Sequence, residues 1–170
     1  NINYPRRLDD QTADSGKSSF KPSIGGSGRA VEGIWAAGQE QAYCHAVDSD
    51  GDLWGWGMNT QGQLGDASNT NRSAPVQINA GTWVDATRGE IRKIQQCSGA
   101  SYSSTAILTS TGEIWVTGYN VNGWHAMDNV TALNEFTRCL RGPGSATWVG
   151  HADNVVSSTK AVNIWYTGNG

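Results

Sequence analysis

The stretch that decides the fold runs from Gly51 to Gly57 and reads Gly-Asp-Leu-Trp-Gly-Trp-Gly. A similar stretch, Gly-Glu-Ile-Trp-Val-Thr-Gly, runs from Gly112 to Gly118. A third, partial copy, Asn-Ile-Trp-Tyr-Thr-Gly, ends at Gly168. Successive copies end roughly 50 to 60 residues apart, a period typical of proteins that stack one small structural unit several times.

Each of the first two copies predicts a β-hairpin. Asp50-Gly51 and Thr111-Gly112 supply residues that tolerate the positive φ of a hairpin turn. The strand after each turn places an aliphatic residue on one face and a tryptophan on the other, and we expect the aligned tryptophans to pack in the core. The structural positions of the repeat are Gly38, Gly51, Trp54, Gly57, Gly99, Gly112, Trp115, Gly118, Trp165 and Gly168.

Short apolar runs rich in Trp, Val, Ile, Thr and Tyr predict strands through the rest of the chain. One stretch, Val130–Leu140, has apolar residues at near-helical spacing and is the candidate helix. The sequence therefore predicts an all-β fold. The predicted strands are Gly33–Ala37, Ala42–Val47, Asp52–Trp56, Ala74–Ile78, Thr105–Leu108, Glu113–Thr117 and Val162–Thr167.

The first copy extends into a longer motif. Residues 58–65 read Met-Asn-Thr-Gln-Gly-Gln-Leu-Gly, and Pro75-Val76 follows. With Ala37-Gly38 upstream, this pattern resembles the repeat of the regulator-of-chromosome-condensation family. The second copy departs from it, because Gly-Trp-His-Ala at 123–126 stands where Gly-Gln-Leu-Gly is expected and Thr117 replaces a tryptophan. The resemblance covers residues 34–170, and it is close only over 34–78.

This resemblance implies a β-propeller, commonly of seven blades, each a four-stranded antiparallel sheet. Two and a half copies are too few to close a ring, so we expect either a longer chain or several chains that complete it. Residues 1–30, rich in Gly and Ser, are expected to form a flexible linker or arm. The propeller repeats would then occupy residues 31–170, divided at about 34–90, 91–148 and 149–170.

Composition excludes several classes of protein. Charged residues make up 16% of the 170 residues, against roughly 25% in ordinary soluble domains, and eight tryptophans argue against a disordered chain. The net charge of −3 argues against a nucleic-acid partner held through phosphates. No apolar run is long enough to span a membrane.

Candidate catalytic and metal sites are weak. The acidic stretch Asp48–Asp52 fails the calcium-loop pattern and is better explained as a hairpin turn. His45, His125 and His151 lack a second ligand at suitable spacing, and no nucleophile–base pair is visible. We therefore expect no enzyme activity, no cofactor and no metal. The thiols of Cys44, Cys97 and Cys139 are expected to be buried or half-buried, with one disulfide as the alternative.

Polar and aromatic residues after the hairpins are the candidate binding residues, because they offer a rigid surface with a polar rim. Trp35, Trp83, Trp124 and Trp148 are not aligned with the repeated tryptophans, and Trp124 could instead fill a gap between blades. Two glycosylation sequons, Asn71-Arg72-Ser73 and Asn129-Val130-Thr131, matter only in a eukaryotic secretory setting. The candidate binding residues are Asn59, Gln61, Asn120, Asn122, Trp124 and His125.

Three functions are compatible with these observations. The first is a non-catalytic binding module that presents loops to a protein or a cell-surface glycan, outside the cell or on a virion surface, as in a phage tail or receptor-binding component. The second, implied by the resemblance, is a regulatory propeller, such as a GTPase exchange factor or a protein inhibitor. The third is a scaffold within a larger or homo-oligomeric assembly, tethered by residues 1–30.

Overall fold

A computed structural model describes residues 30–38, 41–79, 83, 89–99, 101–121, 123, 125 and 131–139. The predicted arm and the third repeat copy, with Trp165 and Gly168, lie outside these residues. The described part is built from strands, with no α-helix. The strands are β1 (Val31–Ala37), β2 (Tyr43–Asp48), β3 (Leu53–Gly57), β4 (Arg72–Gln77), β5 (Ile91–Ser98), β6 (Ser103–Thr109), β7 (Ile114–Gly118) and β8 (Leu133–Arg138).

The strands form two separate sheets. The first has the order β1-β2-β3-β4 and the second β5-β6-β7-β8, and every neighbouring pair is antiparallel. Four-stranded antiparallel meanders of this kind are the blades of propellers, so the predicted fold class is confirmed. Among the described residues, no helix has the length and hydropathy needed to cross a bilayer.

The candidate helix at Val130–Leu140 contains a strand instead. Leu133–Arg138 is strand β8, which pairs with β7 through Val116–Thr137 and Trp115–Arg138. Phe136 is fully buried in the core that joins the two sheets, while its neighbours in the strand are half-buried. The apolar spacing therefore reflects packing against this core and not one face of a helix. Strand pairing and packing outweighed a weak helical pattern.

Strand β5 escaped the sequence analysis because it carries polar residues where a strand in the core would be apolar. Gln96, one of these residues, donates from Nε2 to Nδ1 of His45 in the first sheet at 2.9 Å. Pairing also shifts the glycine alignment by one position. Ala37 lies opposite Tyr43 and Cys97 opposite Ser104, so that Ser98, rather than Gly99, takes the place of Gly38.

The first hairpin turn is fixed by a buried carboxylate. Oδ1 of Asp48 accepts from the backbone N–H groups of Asp50 at 3.1 Å and Asp52 at 3.0 Å, and Oδ2 accepts from Nε1 of Trp54 at 3.0 Å. Gly51 has φ of 80°, as a hairpin turn requires. This arrangement confirms that the acidic stretch forms a hairpin turn. Through Asp48, the turn is hydrogen-bonded to Trp54, the aligned tryptophan of the first repeat copy.

A single apolar core joins the two sheets. Trp83, 1% exposed, stands between them, with its ring centroid 5.5 Å from that of Trp115 and 4.9 Å from that of Phe136. Trp54 and Trp115 are both buried, as the repeat alignment predicted. Since one sheet cannot bury its apolar face alone, the sheets depend on each other for stability. The core residues are Val47, Leu53, Ile78, Trp83, Ile94, Ile107, Trp115 and Phe136.

The three thiols are unpaired. Cys97 and Cys139 are buried and Cys44 is half-buried, which confirms the expectation of separate thiols. Burial raises the pKa of Cys139 to about 12, so this thiol stays protonated and unreactive.

Candidate functional site

The loops after β1, β3, β5 and β7 gather at one end of the two sheets, which we call the loop end. It consists of the described residues within 38–42, 58–71, 99–102 and 119–132. The opposite end, with hairpins 49–52 and 110–113, is called the turn end. Antiparallel strands joined in sequence place alternate connections at opposite ends, so the described candidate binding residues, Asn59, Gln61, Asn120 and His125, share one end.

Asn59 organises the loop of the first sheet and is fully buried. Its Oδ1 accepts from the backbone N–H of Leu64 at 2.9 Å, and its Nδ2 donates to Oδ1 of Asp66 and to the carbonyl of Ser68, each at 2.9 Å. Its own backbone N–H donates to Oδ1 of Asn71 at 2.8 Å. Asn59 is one of the candidate binding residues, and its side-chain amide is used inside the loop.

Asn120 has the same position in the second sheet. It is fully buried, and its Oδ1 accepts from the backbone N–H of His125 at 2.9 Å. His125 is itself 1% exposed, so neither residue can contact a partner directly. Gln61 is half-buried, and its backbone N–H donates to Oε1 of Gln63. Asn122 and Trp124 lie outside the described residues.

An ion pair closes the same loop. Arg72 donates from Nε to Oδ2 of Asp66 at 2.6 Å, and Ser68 donates to Oδ1 from both its backbone and its hydroxyl. Burial raises the pKa of Asp66, but the hydrogen bonds from Ser68, Arg72 and Asn59, with the Arg72 charge, together hold it below its ordinary value. No pattern in the sequence indicated this ion pair, because the two residues meet only once the loop has folded.

The two sheets carry their buried imidazoles at different places. His45 lies on β2 opposite Gly55, and Ala106 lies at the matching place on β6, opposite Val116. His125 in turn matches Leu64, since each backbone N–H donates to an asparagine Oδ1 five residues earlier. The pair His45 and Leu64 of the first sheet is thus replaced by Ala106 and His125 in the second, which keeps one imidazole in each.

Both imidazoles are neutral. Nε2 of His45 donates to the carbonyl of Leu64 at 3.1 Å, which leaves Nδ1 to accept from Gln96. Burial lowers the pKa of His45 to about 4, although the Leu64 carbonyl favours the charged ring. Burial also lowers the pKa of His125 to about 4, although the nearby Thr117 backbone opposes this. Within the described part of the chain, neither ring nitrogen of His125 has a well-formed hydrogen bond.

The loop of the first sheet is fastened to the second sheet through its backbone. Thr117 Oγ1 donates to the carbonyl of Gly62 at 2.8 Å, and Thr105 Oγ1 donates to that of Gln63 at 2.9 Å. The backbone N–H of Ala67 donates to the carbonyl of Asn134 at 2.8 Å. Thr117, where the family repeat has tryptophan, is therefore a hydroxyl donor between the sheets.

Replacing Gly62 with alanine is expected to destabilise the fold by about 1–3 kcal/mol. Gly62 has φ of 79°, and an added Cβ would collide with backbone atoms of Leu133 and Asn134. Gly51→Ala is the matched control, because Gly51 has φ of 80° but open space around its Cβ position. Chemical denaturation should show a clearly larger loss for Gly62→Ala. Equal losses would mean that the contact between the loop and β8 contributes nothing.

Among the described residues, no group of three His, Cys, Asp or Glu side chains is placed to hold a metal ion. The hydrogen bonds of the two asparagines hold the loop backbone in place. The residues exposed to solvent are the neighbours of the asparagines rather than the asparagines themselves. Thr60 and Val121, which directly follow Asn59 and Asn120, are exposed, Val121 by 53%.

Part of the sequence that forms these sheets matches a known protein family. Residues 50–107 match the regulator of chromosome condensation (RCC1) repeat. This segment starts in the turn between β2 and β3 and runs through β3, β4, β5 and most of β6. It therefore spans the outer half of one sheet and the inner half of the next, which makes each repeat a covalent link between neighbouring sheets.

The X-linked retinitis pigmentosa GTPase regulator homolog of Caenorhabditis elegans is 30% identical over 120 residues, 66% of this chain and 8% of that protein. The chain thus spans less than a tenth of the length of this relative. Among solved structures, human WBSCR16 is 21% identical with a TM-score of 0.46, covering 65% of this chain and 24% of that one. Yeast RCC1 (Prp20), crystallised with Kap60, is 19% identical with a TM-score of 0.48, covering 67% and 26%.

Proposed function

Because this chain contains RCC1-type propeller repeat sequence, we propose that it is a non-catalytic interaction module whose loop end contacts a protein partner. The observation that carries this proposal is the repeated asparagine-centred loop. In both sheets a buried asparagine fixes the loop backbone, and the next residue, Thr60 or Val121, is exposed. A surface that is rigid before binding loses little conformational entropy when a partner docks.

The distribution of charge supports the same surface. Near the loop end, the charged groups among the described residues are Asp66 and Arg72, which form an ion pair, and Glu135, which lies opposite Asp66. Most other described charges lie at or near the turn end. A surface with few charges and an exposed valine favours a partner recognised by shape and apolar contact over one recognised by charge. The charged residues near the turn end are Glu32, Asp48, Asp50, Asp52, Glu90, Arg92, Lys93, Glu113 and Arg138.

Position-specific cross-linking tests this proposal. A photoreactive benzoylphenylalanine is placed at Thr60 or at Val121 in the full chain, and at Asp50 of the turn end as the control. Irradiation in cells of the source organism should give a discrete protein adduct from positions 60 and 121, identified by mass spectrometry, and none from position 50. Adducts of equal yield from all three positions, or from position 50 alone, would overturn the assignment of the loop end.

Regulation of a small GTPase is the second candidate function. It is favoured by the similarity to the Caenorhabditis elegans relative, a GTPase regulator homolog, of which this chain spans only 8%. Release of a fluorescent guanine nucleotide from a panel of small GTPases should be unchanged by a pure interaction module. Acceleration of about tenfold or more, abolished by Val121→Asp, would establish the regulatory function instead.

The setting of the protein stays a prediction from composition. The low charged fraction supports an extracellular or virion-surface location, including a phage tail or receptor-binding component, and a glycan partner remains the alternative to protein there. Three unpaired thiols are unusual in an oxidising compartment, but burial raises the pKa of each of them, which keeps the thiols protonated and slow to oxidise. A scaffold tethered by residues 1–30 is the third candidate, and deletion of that segment should then release the protein from its assembly.

A further inference from the structure

One of the two sequons lies within the described residues, at an exposed position. Asn71-Arg72-Ser73 stands where the loop of the first sheet enters β4. This strand is the outer edge of its sheet, in the order β1-β2-β3-β4. Both Asn71 and Ser73 are exposed. The sequon therefore lies on the outer rim of the molecule, away from the core that joins the two sheets.

The amide of Asn71 is oriented by a single hydrogen bond. Its Oδ1 accepts from the backbone N–H of Asn59 at 2.8 Å, and Asn59 is fixed in turn by Leu64, Asp66 and Ser68. Because Oδ1 is held against the loop, Nδ2 on the same planar group is directed away from that contact. Within the described residues, neither Nδ2 of Asn71 nor the hydroxyl of Ser73 is engaged in a hydrogen bond.

We propose that Asn71 is an N-glycosylation site, because its sequon is exposed and, within the described residues, the folded loop engages Oδ1 but not Nδ2. The class of substrate is an oligosaccharide carried on a lipid pyrophosphate. A bond forms between Nδ2 of Asn71 and the anomeric carbon of the first sugar, and the bond from that carbon to the pyrophosphate oxygen breaks. The lipid pyrophosphate leaves with the electron pair, and Nδ2 gives up one proton.

The product is compatible with the folded loop. A glycosylated asparagine keeps its carbonyl, so Oδ1 continues to accept from Asn59 N–H and the loop need not rearrange. The sugar would extend from the edge of β4, which also protects an unpaired strand edge against pairing with another chain. The proposal requires that the protein enters a secretory route, which goes beyond the interaction function and does not depend on it.

Mass spectrometry of the protein from its source tests the modification directly. Treatment with peptide N-glycosidase in oxygen-18 water converts a glycosylated asparagine to labelled aspartate, and we expect the label at position 71. An unlabelled Asn71 in peptides recovered in good yield would overturn the proposal, whatever the result for the interaction surface. Label at Asn129 alone would overturn it equally.

Two variants separate the sequon from the structural use of Asn71. In the full chain secreted from a eukaryotic host, Ser73→Ala removes the sequon and keeps the Asn71 amide with its bond to Asn59. Asn71→Gln removes both. We expect each variant to lose one glycan in mass, while Ser73→Ala keeps the thermal midpoint of the wild type produced without glycosylation in a bacterial host. Asn129→Gln is the control for the second sequon, and a glycan that persists in Ser73→Ala would contradict the assignment to Asn71.

Discussion

Replacing Trp83 with alanine is expected to lower the free energy of unfolding by about 3–5 kcal/mol, the usual range for removing a buried aromatic residue. The indole is 1% exposed and touches both Trp115 and Phe136 of the second sheet. It also belongs to the same core as Val47 and Leu53 of the first sheet. Its loss would leave a cavity between the sheets, which neither sheet can fill by itself. Urea denaturation followed by circular dichroism measures the change.

A matched control for this substitution is Trp56→Ala. Trp56 is only partly buried and packs on a smaller cluster with Ala46 and Trp54, within the first sheet. Trp56→Ala removes the same type of side chain but leaves the contact between the sheets intact. The loss of unfolding free energy should therefore be clearly smaller than in Trp83→Ala. If both variants lost the same stability, Trp83 would be an ordinary apolar contact rather than the wedge that joins the sheets.

Acidification from pH 7 to pH 4 is expected to destabilise the protein, by up to about 3 kcal/mol for each of two histidines. Burial lowers the pKa of both His45 and His125 from 6.5 to about 4 in the folded state. Between these values the unfolded chain binds protons that the folded chain does not, so stability is complete above about pH 6.5 and falls as the pH decreases toward 4. Thermal midpoints measured across this range test the prediction.

Substitution of each histidine identifies its share of the pH dependence. His125→Leu places in the second sheet the residue that the first sheet has at the matching position, Leu64, so it should fold and should reduce the slope between pH 6.5 and 4. Asp66 is distinguishable, because its lowered pKa puts its contribution in a more acidic range. An unchanged slope in His125→Leu would show that this imidazole is already hydrated in the folded protein.

Local patterns in the sequence were sufficient for the hairpins and for the fold class. The turn from Asp48 to Gly51 is formed by contacts between neighbouring residues. The alignment of Trp54 with Trp115 predicted a repeated buried position. Strands β5 and β8 were not recognised, because the residue types in them suit contacts with the other sheet and do not follow a simple strand pattern. Gln96 on β5 is polar since it bonds His45, and Phe136 on β8 is spaced to meet Trp83.

The candidate site shows the same division. The sequence correctly directed attention to the loops that contain Asn59 and Asn120, but it took polar residues in a loop to be exposed ones. Whether such a side chain faces solvent or its own backbone depends on how the loop closes, and closure depends on distant groups such as Asp66 and Arg72. For the same reason the sequence could name Asn71 as a sequon but could not show that Asn59 orients its amide.

The sequence by itself determined the repeated hairpin, the all-β class and the positions of the turns, because these follow from contacts between residues close together in the chain. The tertiary structure alone decided which side chains are buried between the sheets, which imidazoles are kept neutral, and which loop residues remain exposed. These properties depend on surfaces that meet only when one repeat packs against the next. Their energies come from desolvation and close packing across some 40 to 60 residues of sequence separation, as in the bonds of Thr105 to Gln63 and of Gln96 to His45.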